Sequence, residues 1–361
     1  MFKIPPLNRL QTCISDPSQP IGARMRASYH LKQIFQLSST PPSTQSTIIK
    51  TLTSQLGVQE HGKLMRHEFG YVLGQLKSEE AVPELCKSID DSEDDCICRH
   101  ECAEALGAIC NSQISPPMMS LALKTLRTNL STPSNPIEVR ETCSIALNFI
   151  SWKTTPTSQD ESTAPIACAC MLSSYDSEDP APPHPSHQNM NCEEIGCILR
   201  DENVELFERY RAMFSLRNKG GARAAVELGK ALVEDESSAL FRHEVAFVLG
   251  QLQRVEGLDY LVKSLERGDE HEFVRHESAE AIGAIEDDWE RCEEVLKRFM
   301  EDKDKCVAQS CEVALDAADY FGLAVKKEEE DEEGEGIFKF AGVKGTTISH
   351  LNIKEKCSVG I

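Results

Sequence analysis

Apolar residues recur at three- and four-residue steps along most of this chain. In 242–252 (RHEVAFVLGQL), Val245, Val248, Leu249 and Leu252 fall at i, i+3, i+4 and i+7, the stripe of an amphipathic helix. A second helical pattern precedes such segments, as in 81–89 (AVPELCKSI) and 257–266 (GLDYLVKSLE). Pro83 sits near the start of its helix, where its missing N–H is tolerated. No run alternates apolar and polar positions for long enough to build a sheet. The pattern predicts an all-α chain of helix–turn–helix units.

Those units repeat. Residues 66–76 (RHEFGYVLGQL) match 242–252, and 99–109 (RHECAEALGAI) match 275–285 (RHESAEAIGAI). The first two phrases along the chain stand 33 residues apart, as do the last two, and matching phrases are offset by 176, so the chain reads as a duplicated half. Weaker copies flank each pair: 25–35 (MRASYHLKQIF) corresponds to 210–220 (YRAMFSLRNKG), and 139–147 (VRETCSIAL) to 307–315 (VAQSCEVAL). Eight helical hairpins in two halves of four, with outer copies that cap each stack, are the pattern of a HEAT-repeat, armadillo-like α-solenoid. The expected organisation is an N-terminal lobe over 1–153, a flexible linker over 154–191, a C-terminal lobe over 192–325 and an acidic tail over 326–361. The linker is rich in Pro, Ser and Asp and reads as solvated, with His184 and His187 inside it.

Composition narrows the function. The net charge of −21 disfavours a nucleic-acid surface, which needs clustered Lys and Arg, and favours a cationic partner. Part of that charge is one run, Glu328 to Glu335, expected to be a solvated tail. No apolar stretch approaches the ~20 residues that span a bilayer, and the opening Met1–Pro6 lacks a signal-peptide core. Fifteen cysteines without a C-x-x-C pair read as reduced, buried thiols. A cytoplasmic monomer is expected, with the nucleus also open to it.

The chemistry lies in the repeated Arg-His-Glu. Four of the ten histidines occupy it, at matching positions of matching repeats, where chance gives on the order of one His-Glu pair. His271-Glu272 is that chance pair, preceded by Asp269-Glu270 and out of register. Equivalent helices of neighbouring repeats lie about 8–10 Å apart, so His67 and His100 can meet at one metal ion and His243 and His276 at a second. Neighbours on a helix point about 100° apart, so each glutamate aims poorly at its own histidine's ion. If the halves face each other, a glutamate of one completes the site of the other. Metal binding would then help to join the lobes. Imidazole and carboxylate with open positions suit iron(II), and the imidazoles equally suit zinc. Gly74, Gly107, Gly250 and Gly283 follow the histidines by two turns, for close helix packing or for a channel. Arg66, Arg99, Arg242 and Arg275 either orient carboxylates or pair along the stack. A ladder of solvated ion pairs is the rival for the motif as a whole, but it leaves unexplained why the pairs sit only in the middle repeats.

The four phrases, with LFERYRAMFSLRN at 206–218, ALFRHEVAFVLGQLQ at 239–253 and DPAPP at 179–183, resemble the deoxyhypusine hydroxylases over nearly the whole chain. The resemblance implies a HEAT-repeat monooxygenase with two iron(II) ions, O₂ as co-substrate and an external reductant. It implies hydroxylation of deoxyhypusine on translation initiation factor 5A, completing hypusine. Carried over position by position, the metal ligands would be His67, Glu68, His100, Glu101, His243, Glu244, His276 and Glu277. Whether Glu101 and Glu277 meet metal or substrate stays open. Glu104 and Glu280, one turn further, are candidates for holding the substrate's ammonium groups, with a plain exposed face as the alternative. The extra Cys and Ser of the linker and the acidic tail from 327 depart from the family pattern. A protein-binding scaffold and a two-metal hydrolase are the competing functions.

Overall fold

Sixteen α-helices and no strand form among the described residues. The computed structural model describes residues 4–155, 175 and 177–321, so the tail expected over 326–361 lies outside them. The first helices of eight hairpins make an outer layer: α1 (Leu7–Ser15), α3 (Pro42–Leu56), α5 (Val82–Asp90), α7 (Pro116–Ser131), α9 (Cys192–Arg200), α11 (Gly221–Glu234), α13 (Leu258–Glu266) and α15 (Trp289–Phe299). The second helices make an inner layer: α2 (Ile21–Gln36), α4 (Lys63–Leu76), α6 (Cys96–Ile109), α8 (Ile137–Thr154), α10 (Leu206–Lys219), α12 (Ala239–Leu252), α14 (Glu272–Gly283) and α16 (Lys305–Phe321). Inner helices pack in sequence order, α8 meets α10 and α12, and α16 packs on α2 and α4. The inner layer therefore returns to its start, and the two halves face each other. Helix packing, not metal alone, joins the lobes.

The motif helices are more buried than an amphipathic reading allows. Every residue of α4 from Leu64 to Leu76 is buried, and α12 is buried from Leu240 to Gln251. Their apolar stripe packs on the outer helices, while their polar face turns into the ring and meets the other half.

The arginines belong to the stack. Arg66 donates from Nε to the Leu56 carbonyl at 2.5 Å, Arg99 to Ile89 at 3.0 Å, Arg209 to Leu199 at 2.9 Å and Arg275 to Leu265 at 2.9 Å. Each thus satisfies a carbonyl orphaned at the end of its own hairpin's outer helix. The same guanidinium reaches into the next hairpin: Arg66 to Asp94, Arg209 to Asp235 at 2.5 Å and Arg275 to Asp302 at 2.6 Å. Arg242 instead forks onto Glu270 at 2.9 and 2.7 Å. These pairs run along the solenoid and none orients a carboxylate of the His-Glu cluster.

Two of the recurrent glycines are packing devices. A Cβ on Gly74 would stand 3.0 Å from Ala105 Cα, and one on Gly107 would stand 3.2 Å from Ala146 Cβ. The small residues let adjacent inner helices approach closely.

The segment 177–191, expected to be a solvated part of the linker, is packed onto the inner helices. Asp179 pairs with the buried Arg217, Glu178 accepts from Lys77, its N–H donates to Gln75 Oε1 at 2.9 Å, and Ser177 accepts from Gln251 at 3.1 Å. Gln75 and Gln251 are equivalent positions of the two halves, so the strap ties one to the other. His187 is buried and hydrogen-bonds Ser215 at 2.9 Å. Polar composition concealed this because the partners are themselves buried polar groups in need of bonds.

Candidate metal centre

Four helices have their N-cap five residues before a histidine. The N-caps are Gly62 for α4, Asp95 for α6, Ser238 for α12 and His271 for α14, and His67, His100, His243 and His276 follow. Asp95 accepts from the Ile97 N–H at 3.0 Å and Ser238 from the Phe241 N–H at 3.0 Å. Gly62 takes φ +79, which favours glycine. His271 is a cap of this series, with Nδ1 accepting from the Phe273 N–H at 3.2 Å and Nε2 facing Glu138 at 3.9 Å. A common start sets a common depth for the four imidazoles.

The rings converge. Centroids lie 5.5 Å apart for His67–His100 and 5.4 Å for His243–His276 within the halves. Between the halves they lie 5.5 Å apart for His67–His276, 5.4 Å for His100–His243 and 6.1 Å for His67–His243. The expected division into one pair per half is thus not visible in the spacing, because ring closure brings both pairs to the same place. Ligand atoms of His67, His243 and His276 lie within 4.8 Å of one another, as do those of His67, His100 and Glu101.

The glutamates divide by role. Glu101 approaches His67 Nε2 at 3.1 Å and His100 Nε2 at 3.7 Å, and Glu277 approaches His243 Nε2 at 3.5 Å. Both stand beside histidines of their own half, and across the ring Glu101 feels the charge of Glu277 and Glu277 that of His67. Glu68 and Glu244 face across: Glu68 feels the charge of Glu280 in the second half, and Glu244 that of Glu104 and Glu101 in the first. Glu280 accepts from Ser310 at 2.9 Å and lies 3.8 Å from His276 Nδ1. It is buried and Glu104 is half-buried, which excludes the plain exposed face.

Sequence reasoning missed Phe273, whose ring stacks on His243 at 4.1 Å and stands edge-on to His100 at 4.4 Å. It lies three residues before His276, one turn down the same face. Leu64, Ile97 and Leu240 hold that position in the other motif helices, and all four are fully buried. Of the four, Phe273 lines the imidazole cluster with an apolar face. The signal was present in the sequence as four apolar residues at His−3. Gly70 was missed too: a Cβ there would stand 3.1 Å from Glu101 Cγ.

Burial pushes the Glu68, Glu101 and Glu277 carboxyls up to about 8 and holds those of Glu104 and Glu244 well above their ordinary range. It holds His100, His243 and His276 well below theirs, with neighbouring imidazoles adding to the effect. Carboxyls raised in the fold keep protons that the unfolded chain has released above about 4.5, so they cost the metal-free protein stability as pH rises to about 8. The depressed histidines act oppositely, but only below their unfolded value near 6.5. Between pH 6.5 and 8 the carboxyls act alone. The thermal midpoint of the metal-free protein is expected to fall across that window in a pH series.

Among the described residues, both ring nitrogens of His100, His243 and His276, Oε1 of Glu244 and both carboxylate oxygens of Glu277 have no hydrogen-bond partner. Buried polar atoms are nearly always partnered, so this concentration of orphans marks a place for a ligand. Neutral imidazoles and carboxyls that can exchange a proton for a cation are a donor set that fits a metal.

The chain matches the HEAT-repeat family model over residues 199–316 and the PBS lyase HEAT-like repeat model over 65–91. It is 40% identical over 266 residues to deoxyhypusine hydroxylase of Danio rerio, covering 72% of this chain and 78% of that one. To the Mus musculus enzyme it is 38% identical over 305 residues, covering 84% and 89%. A solved structure of human deoxyhypusine hydroxylase in complex with glycerol aligns with a TM-score of 0.72 at 35% identity, covering 87% of this chain and 96% of that one. The chain belongs to the deoxyhypusine hydroxylase family. In this chain all four Arg-His-Glu repeats of the family-like phrases place their histidines in the one buried cluster, and no helix among the described residues is long and apolar enough to cross a membrane.

Proposed function

We propose that this chain hydroxylates the deoxyhypusine side chain of translation initiation factor 5A, with two iron(II) ions, O₂ and an external reductant. The observation that carries the reading is the concentration of unpartnered imidazole nitrogens and carboxylate oxygens at the centre of the ring. A scaffold has no use for it. His67, His100, His243 and His276 would hold the ions together with carboxylates drawn from Glu68, Glu101, Glu244 and Glu277. Bound iron supplies the redox chemistry for an unactivated C–H bond, which side-chain acids and bases cannot perform.

The chain's own residues define the surroundings. Phe273 excludes water on one side of His243 and His100. On the other side Glu104 keeps some exposure and Glu280 is anchored by Ser310. A long cationic side chain entering there meets carboxylates that can hold its ammonium groups, with the reacting carbon toward the imidazoles. The test is incubation with the deoxyhypusine form of the factor under isotopically labelled O₂. One labelled oxygen atom in the product is expected, and product carrying only solvent oxygen would refute the reading.

Gly70→Ala offers a milder check. The new methyl group pushes on Glu101, while the helix gains about 1 kcal/mol over glycine. Iron affinity is expected to fall roughly 10-fold, the lower end for disturbed metal surroundings, without loss of thermal stability. Iron titration and a melting curve measure the two effects separately.

A further inference from the structure

Outer and inner helices alternate along the chain, so the inner helices run in parallel, their starts ringing one mouth of the solenoid and their ends the other. The first mouth is closed from half to half. Lys63, the first residue of α4, pairs with Glu272 of α14 at 2.5 Å, and Ser238 before α12 donates to Glu141 of α8 at 2.7 Å. Phe273, fully buried, lies between this mouth and the imidazoles. The second mouth leads inward past polar positions. Glu104 and Glu280 stand four residues beyond His100 and His276, and Gln75 and Gln251 eight residues beyond His67 and His243. Eight residues of helix rise about 12 Å, which sets the two glutamines at the rim and the imidazoles well below it. Since α4 and α12 are equivalent helices of the two halves, the glutamines face each other across that rim. The chain's own strap spans them: the Glu178 N–H donates to Gln75 Oε1 at 2.9 Å, and Gln251 Nε2 donates to Ser177 Oγ at 3.1 Å. The negative charge of Asp179 acts on Glu104 and Glu244 beneath it.

A short piece of main chain is thus already seated across the mouth. Its hold is polar and in part exposed: Glu178 pairs with Lys77, whose side chain is 47% exposed, and such a pair contributes little. Arg217, which holds Asp179, also donates to Gln251 Oε1 at 2.9 Å and to Asn218 Oδ1 at 3.2 Å, so it stays partnered when the strap lifts. Lifting leaves one amide from each half at the rim, able to bond another main chain. The depth below the rim then admits only a long side chain to the imidazoles, past carboxylates that suit its ammonium groups. We propose that this mouth is the docking surface for the polypeptide that carries the deoxyhypusine side chain, and that the strap is a stand-in which yields its place on Gln75 and Gln251 to that polypeptide. The inference rests on the function proposed above.

Equilibrium binding of the iron-loaded full chain to the deoxyhypusine form of the factor, measured by calorimetry without O₂, tests it. Ser177→Ala with Glu178→Gln loosens the stand-in and is expected to tighten binding about 3- to 10-fold, the range of one net hydrogen bond, with iron content as in the native chain. A strap that only sutures the halves gives weaker binding or no change, and either result would overturn the docking surface. Ser177→Cys with Gln251→Cys makes the converse case. The oxidised chain, its bridge verified by mass, is expected to lose the binding that its own reduced form retains, and equal binding by the two forms would also overturn the proposal. A native chain that does not bind the factor removes the proposed function itself. Native binding that ignores both changes to the strap removes only the docking surface.

Discussion

Replacing any one of His67, His100, His243 or His276 with alanine is expected to strip iron and lower turnover by more than about 100-fold, beyond the usual effect of losing an outer-shell partner. Five of the six ring pairs lie 5.4 to 6.1 Å apart, and His67 belongs to ligand groups with residues of both halves. No single imidazole is spare. The fold should survive, because three of these histidines bury ring nitrogens without partners and alanine removes that cost. Metal-free variants should therefore melt no lower than the metal-free native chain. His271→Ala is the control: it loses an N-cap worth about 1 kcal/mol and keeps both iron and turnover. Metal analysis and turnover across the five variants measure this, and an iron-free His271→Ala chain would refute the register on which the site is built.

Arg66→Ala is expected to do the opposite, costing about 3–5 kcal/mol of stability, as when one partner of a buried ion pair is removed. Arg66 is 2% exposed, holds Asp94, and satisfies the Leu56 carbonyl from the same guanidinium. Its removal leaves the buried Asp94 carboxylate without its cation, held only by the Ser88 hydroxyl and the Asp95 N–H, and orphans the Leu56 carbonyl. The urea midpoint of the metal-free chain should drop steeply, while any folded fraction at low urea still takes up iron. A variant with native stability and no iron would place the arginine in the metal centre. The repeated tripeptide thus divides its labour: arginine holds the stack together, and histidine and glutamate face the ring.

Much of this was legible because the signal is periodic. Two halves of four hairpins follow from phrases that recur at fixed offsets, and the depth of the histidines follows from N-caps five residues earlier. What the sequence concealed depends on ring closure. The contact of α16 with α2 has no local signature, yet it merges two expected histidine pairs into one cluster. It also brings carboxylates of the two halves within reach of each other, Glu68 with Glu280 and Glu101 with Glu277. The strap at 177–180 escaped for another reason: Asp179 and Glu178 read as solvent-seeking, and their partners Arg217 and Gln75 are identified only by the fold. Phe273 and Gly70 were visible as residue types at repeat positions, but their meaning requires knowing what stands one helix away.

The measurement closest to the central claim is the metal content of the active chain, taken anaerobically and followed by the oxygen requirement of its turnover. Two irons per chain are expected in protein that hydroxylates deoxyhypusine only when O₂ is admitted, with both properties lost together on chelation and restored together by iron(II). A chain that is fully active without O₂ while carrying stoichiometric zinc would contradict it.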